Sequence, residues 1–99
     1  MDRDDFVAVF TELGFTLSHA SEGTKVVEDS VYWKGRPLAV IGDSTAGWYL
    51  RVYEGDRTYT MRLRSLMRIV YRKDESKLMF DFGTINGAMT IDLERKDWK

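Results

Sequence analysis

The stretch WYLRVYEGDRTYTMRLR, residues 48–64, decides how this chain folds. Apolar and polar residues alternate on both sides of Gly55-Asp56, the period-two pattern of half-buried strands and not the 3.6-residue period of a helix. A glycine at the first central position of a two-residue loop suits a type II′ hairpin turn. Pairing Glu54 with Arg57 then sets the register. Val52 faces Tyr59, Leu50 faces Met61 and Trp48 faces Leu63, which gathers apolar side chains on one side. The other side receives Tyr53 with Thr58, Arg51 with Thr60 and Tyr49 with Arg62. A slip of one residue would mix the two sets, so the pattern selects this register.

Toward the C-terminus, residues 67–72 and 77–83 flank Lys73-Asp74-Glu75-Ser76 as a second hairpin. Opposing Arg72 to Lys77 places Tyr71 by Leu78, Ile69 by Phe80, Met67 by Phe82 and Arg68 by Asp81. Asn86-Gly87 is a type I′ turn signal. It predicts Phe82 opposite Ile91 and Phe80 opposite Leu93, with Asp92 beside Asp81 and Arg68 relieving that like-charge contact. Leu63, Leu66, Met67, Val70 and Tyr71 also fit a helical stripe, but the β-branched pair Ile69-Val70 and the register match with 77–83 favour the strand.

Toward the N-terminus, residues 3–13 carry Phe6, Val9, Phe10 and Leu13 at helical spacing, with Val7 widening the stripe. Asp2 is a good N-cap, Asp4 and Asp5 suit the positive end of the helix, and Gly14 suits a left-handed C-terminal cap. From Phe15 the period becomes two. Ser21-Glu22-Gly23 reads as a turn, residues 25–28 as a returning strand, Lys34-Gly35-Arg36-Pro37 as a turn, and 38–41 as a short apolar strand. The fold expected is α+β: an N-terminal helix packed on a curved antiparallel β-meander of about five to seven strands, in a single domain spanning 1–99.

Composition narrows the chemistry. The chain has no cysteine, which excludes disulfides, thiolate catalysis and thiolate metal sites. The start MDRDDF is acidic where a secretory signal is basic, and no run approaches the ~20 apolar residues of a membrane span. A cytoplasmic protein away from membranes is the expectation. The net charge of −1 hides a segregation: residues 34–73 hold nine bases and three acids, between two acidic ends.

The segment IGDSTAG, residues 41–47, resembles the first sequence block of the GDS-type serine hydrolases. The resemblance implies Ser44 as nucleophile on an α/β sheet, activated by a histidine near the C-terminus in an Asp-x-x-His arrangement. This chain has neither that arrangement nor a downstream histidine, and its serine leads into WYLRVY, a strand pattern. Gly, Asp, Ser and Thr are preferred turn residues, so Ser44 is read as part of a turn. His19, the only histidine, is read as a surface or half-buried structural residue. The acidic pairs Asp4-Asp5, Glu28-Asp29 and Asp74-Glu75 are read as capping or solvated groups at helix starts and turns. No catalytic, metal or cofactor site is expected.

The positive feature is the basic run of residues 57–73, which holds six cations and no acid. With the paired strand it sets Tyr49, Arg51, Tyr53, Arg62 and Arg64 on one face, away from the core. Tyrosine and arginine carry interface hot spots, and they also stack on bases and neutralise phosphates. The expectation is a small non-enzymatic module that docks a protein partner on this face. The alternatives are single-stranded nucleic acid on the same residues, or a plain solvated face whose arginines pair with Asp81 or flanking acids. Exposed hairpin edges also admit a partner strand, a second copy of the chain included.

Overall fold

A computed structural model describes residues 1–23, 25–33, 35–84 and 87–94. Helix α1 (Arg3–Glu12) is defined by its two ends. At the start, the Asp2 carboxylate accepts the Asp5 amide at 2.8 Å, with Asp4 and Asp5 in the first turn. At the end, Gly14 adopts a φ of +84°. Its N–H donates to the Thr11 carbonyl and that of Phe15 to the Phe10 carbonyl, both at 3.1 Å, the two bonds of a Schellman cap. Phe15 thereby folds back edge-on against Phe10, their rings 5.3 Å apart.

Among the described residues eight strands follow: β1 (Thr16–Glu22), β2 (Lys25–Trp33), β3 (Arg36–Ser44), β4 (Gly47–Glu54), β5 (Arg57–Arg62), β6 (Leu66–Arg72), β7 (Lys77–Thr84) and β8 (Gly87–Glu94). They form two antiparallel sheets, β1-β2-β3-β4-β5 and β6-β7-β8. The α+β class holds, but one meander of five to seven strands gives way to two sheets. The break lies at a 3₁₀ turn, Leu63–Ser65. Leu63 and Leu66 are both buried. A continuous strand would send residues three apart to opposite faces, whereas a three-residue turn returns them to the same side.

The hairpin β4–β5 pairs Glu54 with Arg57, Val52 with Tyr59, Leu50 with Met61 and Tyr49 with Arg62, as the alternation dictates. Gly55 has φ +60° and Asp56 is not in the positive region, consistent with a type II′ turn. The expected Trp48–Leu63 pair does not form, because β5 ends at Arg62.

In β6–β7, Arg72, Tyr71, Ile69 and Arg68 meet Lys77, Leu78, Phe80 and Asp81 as expected. Leu66, not Met67, lies opposite Phe82, across a register shift between Leu66 and Arg68. Met67 is left 69% exposed, as a bulge allows while Leu66 takes the core place.

The register of β7–β8 differs by two residues from the expectation: Phe80 pairs with Ile91, Leu78 with Leu93 and Phe82 with Met89. Asp81 therefore lies opposite Thr90, not Asp92, and the Thr90 hydroxyl donates to its carboxylate at 3.0 Å. The carboxylate repulsion is avoided by the register itself. Asn86, the first residue of the expected turn, lies outside the described residues, as does Lys34 of the other one. Ser21 and Glu22, expected in a turn, close β1, and the chain reverses from Gly23 at φ +63°. Pro37 sits second in a central strand, beside a register shift between β2 and β3, a place where a missing N–H is tolerated.

One apolar cluster joins these parts. Phe6 and Phe10 of α1 meet Val31, Ala39, Ile41, Leu50 and Val52 of the first sheet and Leu78, Phe80, Phe82 and Leu93 of the second. Phe15 bridges the sheets, 4.9 Å from Trp33 and 5.1 Å from Tyr71. The Met1 nitrogen donates to the carbonyls of Leu63 and Leu66, at 3.3 and 2.7 Å, satisfying backbone groups at the β5–β6 corner. Among the described residues no helix is long and apolar enough to cross a membrane.

Candidate functional site

Alternation along β4 sends Leu50 and Val52 into the core and leaves Tyr49, Arg51 and Tyr53 half-buried on the opposite, outer face of the first sheet. Arg51 links the two tyrosines. The Arg51 guanidinium stands 5.4 Å from the centre of the Tyr49 ring, and one of its nitrogens donates to the Tyr53 hydroxyl at 3.4 Å. That hydrogen bond holds the Arg51 guanidinium above its already high ordinary value against the pull of desolvation, with Tyr53, Tyr49 and Glu28 adding electrostatically.

Under the row lies Gly42, the cross-strand partner of Tyr49. A Cβ there would sit 2.4 Å from the ring and hydroxyl of Tyr49, so the ring rests on bare backbone. Val40, 5% exposed, is opposite Arg51 and outside the core cluster. The outer face thus has a small packed layer of its own.

The remaining two candidates separate from this row. Arg62 pairs with Tyr49 at the end of β5 and stays at the margin of the face. Arg64 was expected beside it but lies in the 3₁₀ turn, beyond the last residue of the strand. Arg62 and Arg64 instead meet in a cleft of about 660 Å³ with Trp48, Leu63 and the start of α1. Among the described residues neither arginine has an ion pair, whereas Arg68 is joined to Asp81 at 2.7 Å and Arg72 to Glu75 at 3.8 Å.

The acids also sort differently from expectation. Asp4 and Asp5 are at the helix start and Asp74 and Glu75 in a 3₁₀ turn, as read from the sequence. Asp29 is not in a turn: it sits mid-strand in β2, fully buried. Arg3 of α1 donates to it from Nε at 2.8 Å and from a terminal nitrogen at 3.4 Å, and His19 of β1 contacts it through Nδ1. The bond to Asp29, partly offset by desolvation, raises the Arg3 guanidinium above its ordinary value. A buried carboxylate at a core-facing position needs such partners. Here they tie helix to sheet.

Ser44 ends β3, its hydroxyl donating to the Gly47 carbonyl at 2.6 Å across the Thr45-Ala46 turn, and β4 follows directly. Ser44 therefore stands at the strand end that opens the turn. Sequence reasoning missed three features: the Gly42 platform, the Asp29 clamp and the cleft. Gly42 carries a signal once β3 and β4 are aligned, since a glycine opposite an aromatic marks a ring folded onto backbone. Asp29 shares its parity with Val27 and Val31, which flags it as core-facing. The cleft draws on three segments and has no local signal. Comparison with protein-family models, with curated proteins and with solved structures returns no match.

Proposed function

We propose that this chain is a small, non-enzymatic binding module that docks a protein partner on the outer face of its first sheet. Tyr49, Arg51 and Tyr53 are the anchors and Arg62 lies at the rim. The observation that carries this reading is the mutual order of the row: Arg51 is held between Tyr49 and Tyr53, and Tyr49 is seated on Gly42. Side chains already fixed in place lose little conformational freedom on association. Aromatic rings with polar ends, joined to arginine, are the groups that dominate interface energetics. The helix packs its phenylalanines with Leu50 and Val52, leaving the opposite face to solvent and partner. Arg64, turned into the cleft, is not part of this surface.

The test is quantitative capture from lysate with the native chain against an Arg51→Glu, Tyr53→Ala variant whose circular dichroism is unchanged. The expected result is one or more proteins whose recovery falls at least about tenfold with the variant. Equal recovery, or none by either form, defeats the reading. Sedimentation of the purified protein identifies the case in which the partner is a second copy of the chain.

A second reading, single-stranded nucleic acid on the same face, is favoured by Arg62 lacking an ion pair among the described residues. It differs in salt response. Neutralised phosphates make log affinity fall steeply with log salt, so an oligonucleotide titration at two salt concentrations separates the two readings.

A further inference from the structure

The cleft between the start of α1, the β3–β4 turn and the β5–β6 corner is a separate place from the tyrosine row, with Arg62 common to both. Its volume of about 660 Å³ falls in the range of small-molecule sites. Its lining sorts into three chemistries. Half-buried Trp48 supplies apolar surface, with Met1, Ala46 and Gly47 beside it and the buried Leu63 beneath. Asp2, Arg3 and Asp4 form one charged wall, and its charges are largely satisfied within the protein: Asp2 caps the helix, and Arg3 is shared between Asp29 and Asp4. Arg62 and Arg64 form the other wall, both exposed and with no acid paired to them among the described residues.

We infer that this cleft binds a nucleoside phosphate, its phosphate held by Arg62 and Arg64 and its base lying against Trp48. Two guanidinium groups two residues apart present forked donors that match phosphate oxygens. A half-buried indole is a stacking surface for any base. The Asp4 carboxylate is 87% exposed and accepts from Arg3 through one oxygen, so it retains capacity for a base amino group or a ribose hydroxyl. A bare inorganic anion would leave Trp48 unused, and an uncharged ring would leave both arginines unused. The ligand source is either a free nucleotide or the phosphorylated end of a single strand.

Calorimetric titration of the full chain tests this with adenosine monophosphate, adenosine, inorganic phosphate and a short 5′-phosphorylated oligoadenylate as probes. Saturable binding of the monophosphate is expected, tighter than either adenosine or phosphate alone. The Arg62→Ala, Arg64→Ala double variant is expected to weaken it by about tenfold or more. The Arg57→Ala, Arg72→Ala variant, with the same change of charge elsewhere, is expected to leave it unchanged. Trp48→Leu is expected to lower affinity for the monophosphate but not for inorganic phosphate. A tighter oligonucleotide whose advantage is lost without its 5′-phosphate identifies a strand end as the source, and equal affinities identify the free nucleotide. The inference is overturned by no saturable heat at millimolar monophosphate from protein with native circular dichroism. Equal losses in the two double variants, or inorganic phosphate binding as tightly as the monophosphate, overturn it as well. The protein-docking proposal is judged separately, since its anchors Tyr49, Arg51 and Tyr53 are untouched by these variants and only its rim residue Arg62 is altered.

Discussion

The inner and outer faces of the five-stranded sheet are made by alternate residues of the same strands, yet they are held by different forces. On the inner face Val31, Ala39, Ile41, Leu50 and Val52 have no exposure and pack with the phenylalanines of α1. Removal from water orders them, at about 1.5–3 kcal/mol for each large side chain fully buried. On the outer face the contacts that order Tyr49, Arg51 and Tyr53 include a cation–π contact, a long hydrogen bond and a glycine platform. A half-exposed cation–π contact contributes about 0.5–1 kcal/mol. The inner face determines the fold. The outer face holds its shape through weaker contacts, so under the docking proposal its residues are expected to be replaceable with little loss of stability.

The strongest way to break this contrast is Phe10→Ala. The ring is fully buried against Phe6, Phe15 and Phe80, and its loss is expected to cost about 3–5 kcal/mol in urea unfolding. A cost no larger than that of an outer-face change would remove the distinction. Next is Arg3→Ala, which leaves the buried Asp29 with His19 alone. About 2 kcal/mol is expected, below the full cost of breaking a buried pair because Arg3 is partly exposed. Thermal and urea unfolding read it.

Gly42→Ala sharpens the contrast from the other side. The new methyl displaces the Tyr49 ring, whose outer end can swing into solvent, so the stability loss is expected to be only about 1 kcal/mol. Nuclear Overhauser contacts between Tyr49 and Arg51 should vanish, and captured partner should fall with them.

The smallest effect concerns Asp81. Its hydrogen bond to Arg68, and then that to Thr90, lower its pKa. A carboxyl lowered on folding contributes stability that is present above its unfolded pKa and is lost as pH falls through the folded one. Arg68→Ala should therefore reduce the stability difference between neutral and acid pH by about 0.5 kcal/mol, a small figure because Arg68 is 68% exposed. Unfolding curves across the acid range measure it.

How much of this was legible in the sequence depends on the kind of signal. Alternation is sensitive to a shift of one residue and blind to a shift of two. In β4–β5 the pattern and the Gly55-Asp56 turn agreed, and the pairs matched throughout β5. In β7–β8 two registers placed the same side chains inward, and the observed one also gives Asp81 a hydroxyl in place of a carboxylate. Arg64 was misplaced because alternation was carried through Leu63, where the chain turns to begin the second sheet. The Tyr49–Arg51–Tyr53 row was readable because it lies on one strand. Its platform, Gly42 on the adjoining strand β3, becomes legible only once β3 and β4 are aligned. Asp29 is 26 residues from Arg3, beyond the reach of any local pattern.

The order of the strands has a kinetic consequence. Every hydrogen-bonded pair joins strands adjacent in sequence, so each closes a short loop, and such contacts form early at small entropic cost. The packing of the two sheets on each other and on α1 is different: Trp33 and Phe15 meet Tyr71, Phe10 meets Phe80, and the Met1 nitrogen meets a carbonyl 65 residues away. Closing the two sheets on each other and on α1 is therefore expected last, and a refolding chain should pass its rate-limiting barrier with hairpins formed and these layers still to be docked.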